Sequence, residues 1–134
     1  MGEVHVRVRL TNARDVQSAE EGLLDPIHVR SCEVDALVDT GSTRSFIPAG
    51  LAGQLGLGIS HETKGILADG TRVSVLASTA IVFEIDGRKT IEGAYILGDQ
   101  VLIGQTTLQT TDLLVDCTNH KVIPGHAEGP IFRL

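Results

Sequence analysis

The chain has 134 residues, 42% hydrophobic and 21% charged, with a formal net charge of -6, which is enough for one domain around one core. The acidic balance argues against a nucleic-acid partner, whose phosphates ask for Lys and Arg, and aromatic residues at 3% with no Trp argue against a base- or sugar-stacking surface. No stretch approaches the roughly 20 apolar residues of a membrane span. The N-terminus also lacks a basic segment leading into an apolar run of roughly 7–15 residues, so neither a membrane anchor nor a signal peptide is expected.

Residues 4–10 alternate Val4, Val6, Val8 and Leu10 with His5, Arg7 and Arg9, the period of a half-buried strand. Residues 11–26 are polar and acidic and read as a long surface loop, a decoration rather than a wall of a cleft. Residues 27–38 are apolar and β-branched, a strand that delivers the chain to Asp39. Residues 48–55 have helical spacing at Leu51 and Leu55, with Pro48 suited to the first turn and Gly56 to the end. Asp69-Gly70 and Asp86-Gly87 mark hairpin turns. They divide a strand-rich stretch that includes one continuous strand over residues 73–85 and another over 88–97. Val101, Leu102 and Ile103 form a short buried run ending at Gly104, and residues 106–111 suit one or two helical turns. Leu113, Leu114 and Val115 form a last buried strand, turned back at Asn119-His120 into residues 121–124. The tally is all-β, with many short strands and one or two short helices, which favours a closed barrel or sandwich.

Cys32 and Cys117 do not make a disulfide framework and predict two free thiols in a reducing, cytoplasmic setting. Neither lies in a Cys-x-x-Cys or Cys/His cluster. The five histidines (His5, His28, His61, His120 and His126) are dispersed, without metal spacing, so no metal site and no cofactor is expected.

The stretch that carries chemistry is Asp39-Thr40-Gly41-Ser42, at the end of the apolar run Ala36-Leu37-Val38. A carboxylate leaving a buried strand into a tight turn is held in a fixed pose. Asp-Thr-Gly occurs once, and Asp69 and Asp86 read as turn residues. Asp35 shares a strand face with Asp39 and reads as solvated.

Four segments stand in order: Leu37 to Ser45, Leu67 to Thr71, Leu102 to Gly104, and Leu113 to Asp116. Together they resemble the retropepsin-like aspartic proteases, most of all their single-lobe prokaryotic members, over about residues 27–124. The resemblance implies a single retropepsin-like lobe over residues 1–134 that acts as a C2 homodimer. Asp39 would be the catalytic carboxylate, supported by Thr40 reaching across the subunit boundary, by the Gly41 N–H, and by Ser42. Ile66, Leu67, Ala68, Asp69 and Gly70 would form a flap over the substrate, and Leu102, Ile103 and Gly104 would pack beneath the active-site loop.

Two aspartates about 3 Å apart can share one proton and divide the base and acid roles of peptide hydrolysis. With one Asp-Thr-Gly per chain, the second carboxylate must come from a second copy. The expected function is therefore an aspartic endopeptidase with a protein or peptide substrate. The alternative is a catalytically weak dimerisation or peptide-binding module of the same fold. Residues 4–10 and the apolar tail, 131–134, are candidate interface strands, although each could complete its own lobe's sheet. Ser42 replaces the alanine of viral enzymes, and its hydroxyl can donate to the outer carboxylate oxygen. Gln105 stands where those enzymes carry arginine, which removes that residue's dimer contacts.

Overall fold

The alternation at the N-terminus becomes β1 (His5–Asn12) in a computed structural model that describes residues 2–134. Val8 and Leu10 are buried while His5, Arg7 and Arg9 face solvent. β1 lies inside the main sheet. It pairs antiparallel with β2 (Ser31–Val38) along its length and with β6 (Ile81–Ile85) from Arg9 to Asn12. It therefore completes its own lobe's sheet, whereas residues 131–134 form no strand and leave Ile131 and Phe132 about half exposed.

The remaining strands follow the turn signals. β4 (Ile59–Ile66) and β5 (Arg72–Ser78) form the first Asp-Gly hairpin. β6 and β7 (Arg88–Glu92) form the second, with Asp86 and Gly87 at φ of 52° and 76°, the paired positive values of a type I′ turn. The short strands β3 (Phe46–Ile47), β8 (Tyr95–Ile96) and β9 (Leu102–Ile103) fill the middle. The order is β4-β5-β8-β3-β9-β2-β1-β6-β7, and a separate hairpin joins β10 (Leu113–Asp116) to β11 (Lys121–Pro124). No ladder joins β4 to β7 among the described residues. The nine-stranded sheet is thus open, where the sequence predicts a closed barrel or a sandwich. Phe83, Leu10, Ile47, Ile81, Ile85 and Ile103 are fully buried at its centre, each contributing about 1.5–3 kcal/mol by leaving water.

The continuous strand expected over residues 73–85 is broken at Ser78-Thr79-Ala80. The Ser78 hydroxyl donates to the Thr79 carbonyl and accepts from the Ala94 N–H, and the Ala13 N–H takes the Ala80 carbonyl. These bonds turn the chain from the β4/β8 side of the sheet to the β1/β7 side.

Among the described residues there are three short α-helices rather than one or two: α1 (Ala13–Glu20), α2 (Ala49–Gln54) and α3 (Gln105–Thr110). α1 lies in the stretch expected to be a loop. Its N-cap is Asn12, only 2% exposed, whose Oδ1 accepts from the Asp15 N–H at 3.2 Å while its Nδ2 donates to the Leu55 carbonyl at 2.8 Å. One buried amide thus caps α1 and ties it to the end of α2. Asp15 is also buried and accepts from Arg30 Nε at 2.8 Å and Arg30 Nη2 at 3.0 Å. The sequence signal was an Asn followed three residues on by an acid at a strand end, a capping pattern hidden in polar composition.

The Arg30 hydrogen bonds hold the Asp15 carboxyl below the usual carboxylate range, against the effect of burial. A depressed folded-state value contributes stability that is present above the unfolded value of about 3.9 and is lost as pH falls through the folded one. Asp15→Asn is expected to cost about 1–2 kcal/mol at neutral pH, the low end for a charge-assisted bond because Arg30 is half exposed. In urea melts across pH, the gap between wild type and variant should be constant above about pH 5 and shrink below about pH 4. A gap that does not change with pH would rule out the ionised Asp15 as its source.

Candidate active site

Asp39 leaves β2 with its N–H donating to the Ile103 carbonyl of β9 at 2.9 Å. The same β9 lies between β2 and β3, with Leu102 opposite both Leu37 and Phe46. The loop over residues 39–45 therefore arches over the end of β9, directly above Gly104. A side chain on Gly104 would have its Cβ 2.4 Å from the Arg44 carbonyl oxygen and 2.9 Å from that of Ser42. Space, not conformational freedom, requires glycine there, since its φ is an ordinary -93°.

Within the loop the Gly41 N–H donates to Asp39 Oδ1 at 3.0 Å and the Ser42 hydroxyl donates to Asp39 Oδ2 at 3.1 Å. Both carboxylate oxygens are thus held, which fixes the plane of the group. Asp39 is half-buried, and Thr40 and Gly41 are exposed at the crest of the loop. α3 ties the loop down from below. Gln105 N–H donates to the Ser42 carbonyl at 2.8 Å, Thr106 N–H to that of Thr43 at 2.9 Å, and Gln105 Nε2 to that of Thr40 at 2.6 Å. Gln105 therefore fixes the backbone of the crest within its own lobe. Asp35 is 61% exposed and pairs with His5 at 3.0 Å, away from this arrangement.

A buried polar chain that sequence reading missed supports the loop. Gly104 N–H donates to Ser45 Oγ at 3.0 Å, Ser45 Oγ lies 2.5 Å from Thr107 Oγ1, and Thr107 Oγ1 donates to Glu92 Oε1. The proton directions follow from the last link. Thr107 gives its single hydroxyl proton to Glu92, so it can only accept from Ser45, whose proton goes to Thr107. Ser45 and Thr107 are fully buried, where unmade bonds cost about 1–3 kcal/mol each. The only sequence signal was a hydroxyl six residues after Asp39; its partners lie on β7 and α3.

The Asp69-Gly70 hairpin tip is ordered by Leu67 N–H to the Thr71 carbonyl at 2.8 Å and Gly70 N–H to the Leu67 carbonyl at 2.9 Å. Gly70 has φ of 86°, the left-handed region that glycine adopts without steric cost. Asp69 accepts from the Thr71 N–H at 2.9 Å. Hydrogen bonds from Thr71 hold its carboxyl below the usual range. It is a turn residue, as its place in the sequence predicts. Ile66 at 71% and Leu67 at 39% exposure are apolar groups presented at the tip, with Ala68 exposed between Leu67 and Asp69. Beneath them a cleft of about 100 Å³ is lined by Phe46, Gly65, Val73, Val75, Tyr95 and Leu97 among others. The Phe46 and Tyr95 rings pack at 5.6 Å between centroids.

Among the described residues no three His, Cys, Asp or Glu side chains gather as a metal-binding set. Among the described residues no helix is long and apolar enough to cross a membrane, which leaves strands unaddressed. Cys32 and Cys117 are both free thiols.

Comparison with known proteins agrees with the geometry. A family model described as aspartyl protease matches residues 26–107. In the search of curated proteins nothing matches. Among solved structures, the retroviral protease-like domain of Ddi1 from Leishmania major superposes with a TM-score of 0.51 at 13% identity. The match covers 88% of this chain and 80% of that one, and at that identity it speaks for the fold alone. The matched stretch takes in β2, the Asp39 loop, the hairpin and the Gly104 turn, and the chain belongs to the aspartyl protease family with a retropepsin-like fold.

Proposed function

We propose that the protein is an aspartic endopeptidase whose site forms between two copies, Asp39 of one facing the partner subunit's Asp39. The observation that carries this reading is the single carboxylate held at both oxygens by Gly41 and Ser42 on a loop whose crest is exposed. One carboxylate supplies a base or an acid, not both, and hydrolysis without a covalent intermediate uses both. Across a two-fold axis the paired groups share one proton. The ionised one takes a proton from water as that water attacks the peptide carbonyl, and the protonated one donates to the carbonyl oxygen. Thr40, exposed at the crest, is placed in this reading against the partner's loop, and the exposed tail at Ile131 and Phe132 supplies further apolar contact between copies. The β4–β5 hairpin acts as the flap, with Ile66 and Leu67 covering an extended peptide and excluding water.

Dilution tests the proposal. Cleavage of labelled, unfolded casein should fall per chain as the protein is diluted, in step with the monomer fraction seen by sedimentation. Constant activity per chain in a fully monomeric sample would overturn it. Dimers that bind peptide without cutting it at any pH from 3 to 8 would favour the peptide-binding module instead.

A further inference from the structure

A second cavity lies away from Asp39. It is an open groove of about 860 Å³ between α1, the base of the β4–β5 hairpin and the segment joining β7 to β8. That volume falls in the range of about 300–1,000 Å³ usual for ligand clefts. Its walls are half apolar: Ile59 and Ile91 line it and remain 51% and 66% exposed. Its charge is unusual for this chain. Arg14 and Arg44 both line it, against Glu20 as the one acidic side chain on its wall. Arg7, Arg9, Arg30 and Arg88 each have a carboxylate partner. Among the described residues Arg14 and Arg44 have none, as is also true of the exposed Arg72 and Arg133, which lie outside the groove. In a chain of net charge -6, two free guanidinium groups stand in one apolar-walled groove.

The groove continues the cleft beneath the hairpin tip. Alternate residues of a strand share a face. Val73 and Val75 of β5 line the cleft while Ala77 lines the groove; Thr63 and Gly65 of β4 line the cleft while His61 lines the groove. Tyr95 lines both. Arg44 belongs to the Asp39 loop, where its neighbour Ser45 accepts the Tyr95 N–H at 3.1 Å. Arg14 stands at the other wall, on α1, with Nη1 3.6 Å from the position a Gly58 side chain would take. A chain lying under the hairpin and running past Tyr95 would meet Arg44 first and Arg14 beyond it.

We propose that this groove is a distal binding site for an acidic flanking segment of the polypeptide substrate, with Arg44 and Arg14 pairing its carboxylates and Ile59 and Ile91 covering its apolar side chains. The proposal rests on the protease reading for the word substrate, but the binding itself is measurable without cleavage. It also makes α1 a wall of the binding surface rather than a decoration.

The test uses three fluorescein-labelled peptides that share the centre Val-Leu-Phe-Leu-Val and carry Glu-Glu, Gln-Gln or Lys-Lys on both flanks. Binding to the full-length Asp39→Asn protein is followed by anisotropy at low and high salt. The wild-type net charge of -6, one unit less negative in Asp39→Asn, by itself favours the Lys-flanked peptide, so the opposite preference can come only from a local field. The expected result is that the Glu-flanked peptide binds at least about fivefold tighter than the Gln-flanked one. That advantage should shrink at 1 M salt and pass to the Lys-flanked peptide in Arg14→Glu. Arg14 is an exposed residue of α1, so the variant is expected to fold, and a circular dichroism melt checks it. Arg44→Gln should reduce the preference in the same direction. Equal binding of the three peptides, or a preference untouched by Arg14→Glu, overturns the proposal. Cleavage by wild type together with equal binding would sink the groove alone. Glu-selective binding without cleavage by wild type would sink the protease reading and leave the groove standing.

Discussion

Asp39→Asn is expected to lower peptide cleavage by at least about 1,000-fold while leaving fold and dimer in place. Asparagine is isosteric with aspartate and keeps an oxygen for the Gly41 N–H, whose bond to Asp39 Oδ1 is 3.0 Å, so the loop has no reason to move. What is lost is the ability to take or give a proton, and in the proposed homodimer it is lost at both positions. Mixing sharpens the result. In an equal mixture of wild type and Asp39→Asn chains allowed to exchange, about one quarter of dimers carry two aspartates. Activity should therefore fall to about a quarter of the pure wild-type value at the same total concentration, not to half. Activity proportional to the wild-type fraction would show that each chain works alone. A variant that keeps a tenth of its cleavage, resistant to a statine-type inhibitor, would point to another site altogether.

Gly104→Ala is the second large effect. The added Cβ would stand 2.4 Å from the Arg44 carbonyl oxygen and 2.5 Å from its carbon, and both are backbone atoms that cannot rotate away. Either the Asp39 loop rises or α3 drops. Each movement strains the Gly104 N–H bond to Ser45 and the Gln105 bonds to the loop carbonyls. A loss of about 2–4 kcal/mol is expected, seen as a fall in Tm of about 10 °C. Cleavage should fall further than the unfolded fraction explains, because the carbonyl of the preceding residue, Ile103, anchors the Asp39 N–H. Gly50→Ala is the control: it lies in α2 with nothing within 4 Å of its added Cβ, so it should be neutral or stabilise by up to about 1 kcal/mol. If both substitutions behaved alike, the close approach at Gly104 would not be the cause.

Local signals in the sequence were sufficient for some elements and silent on others. Asp86, Gly87, Gly70 and Gly56 all adopt turn or cap roles at positive φ, because one or two residues decide such conformations. The alternation in β1 is equally local. By contrast β3 has two residues, too short for any period to register; β9 was legible only as a buried run, and the strand expected over residues 88–97 is split into β7 and β8. Their partners are chosen by the whole sheet, and so was its failure to close. α1 was missed because polar composition outweighed the Asn12–Asp15 cap, although burial of both residues shows the cap at work. For the site, Asp39 and its neighbours were legible as a contiguous motif. The chain from Gly104 through Ser45 and Thr107 to Glu92 was not, because its members come together only when β7, α3 and the loop have all packed.

The insertion of β9 between β2 and β3 also bears on the order of assembly. β2 and β3 are near neighbours in sequence, yet they are joined in the sheet only through a strand made about 60 residues later. During synthesis the Asp39 loop has nothing to arch over until residues 102–107 have left the ribosome. Until then β2 presents one unpaired edge, of the kind that invites wrong partners. Burial of Ile103 and fixation of the Asp39 N–H are then one late, long-range event, which sets a slow step in folding. The Asp39 loop is therefore completed only once most of the chain has been made.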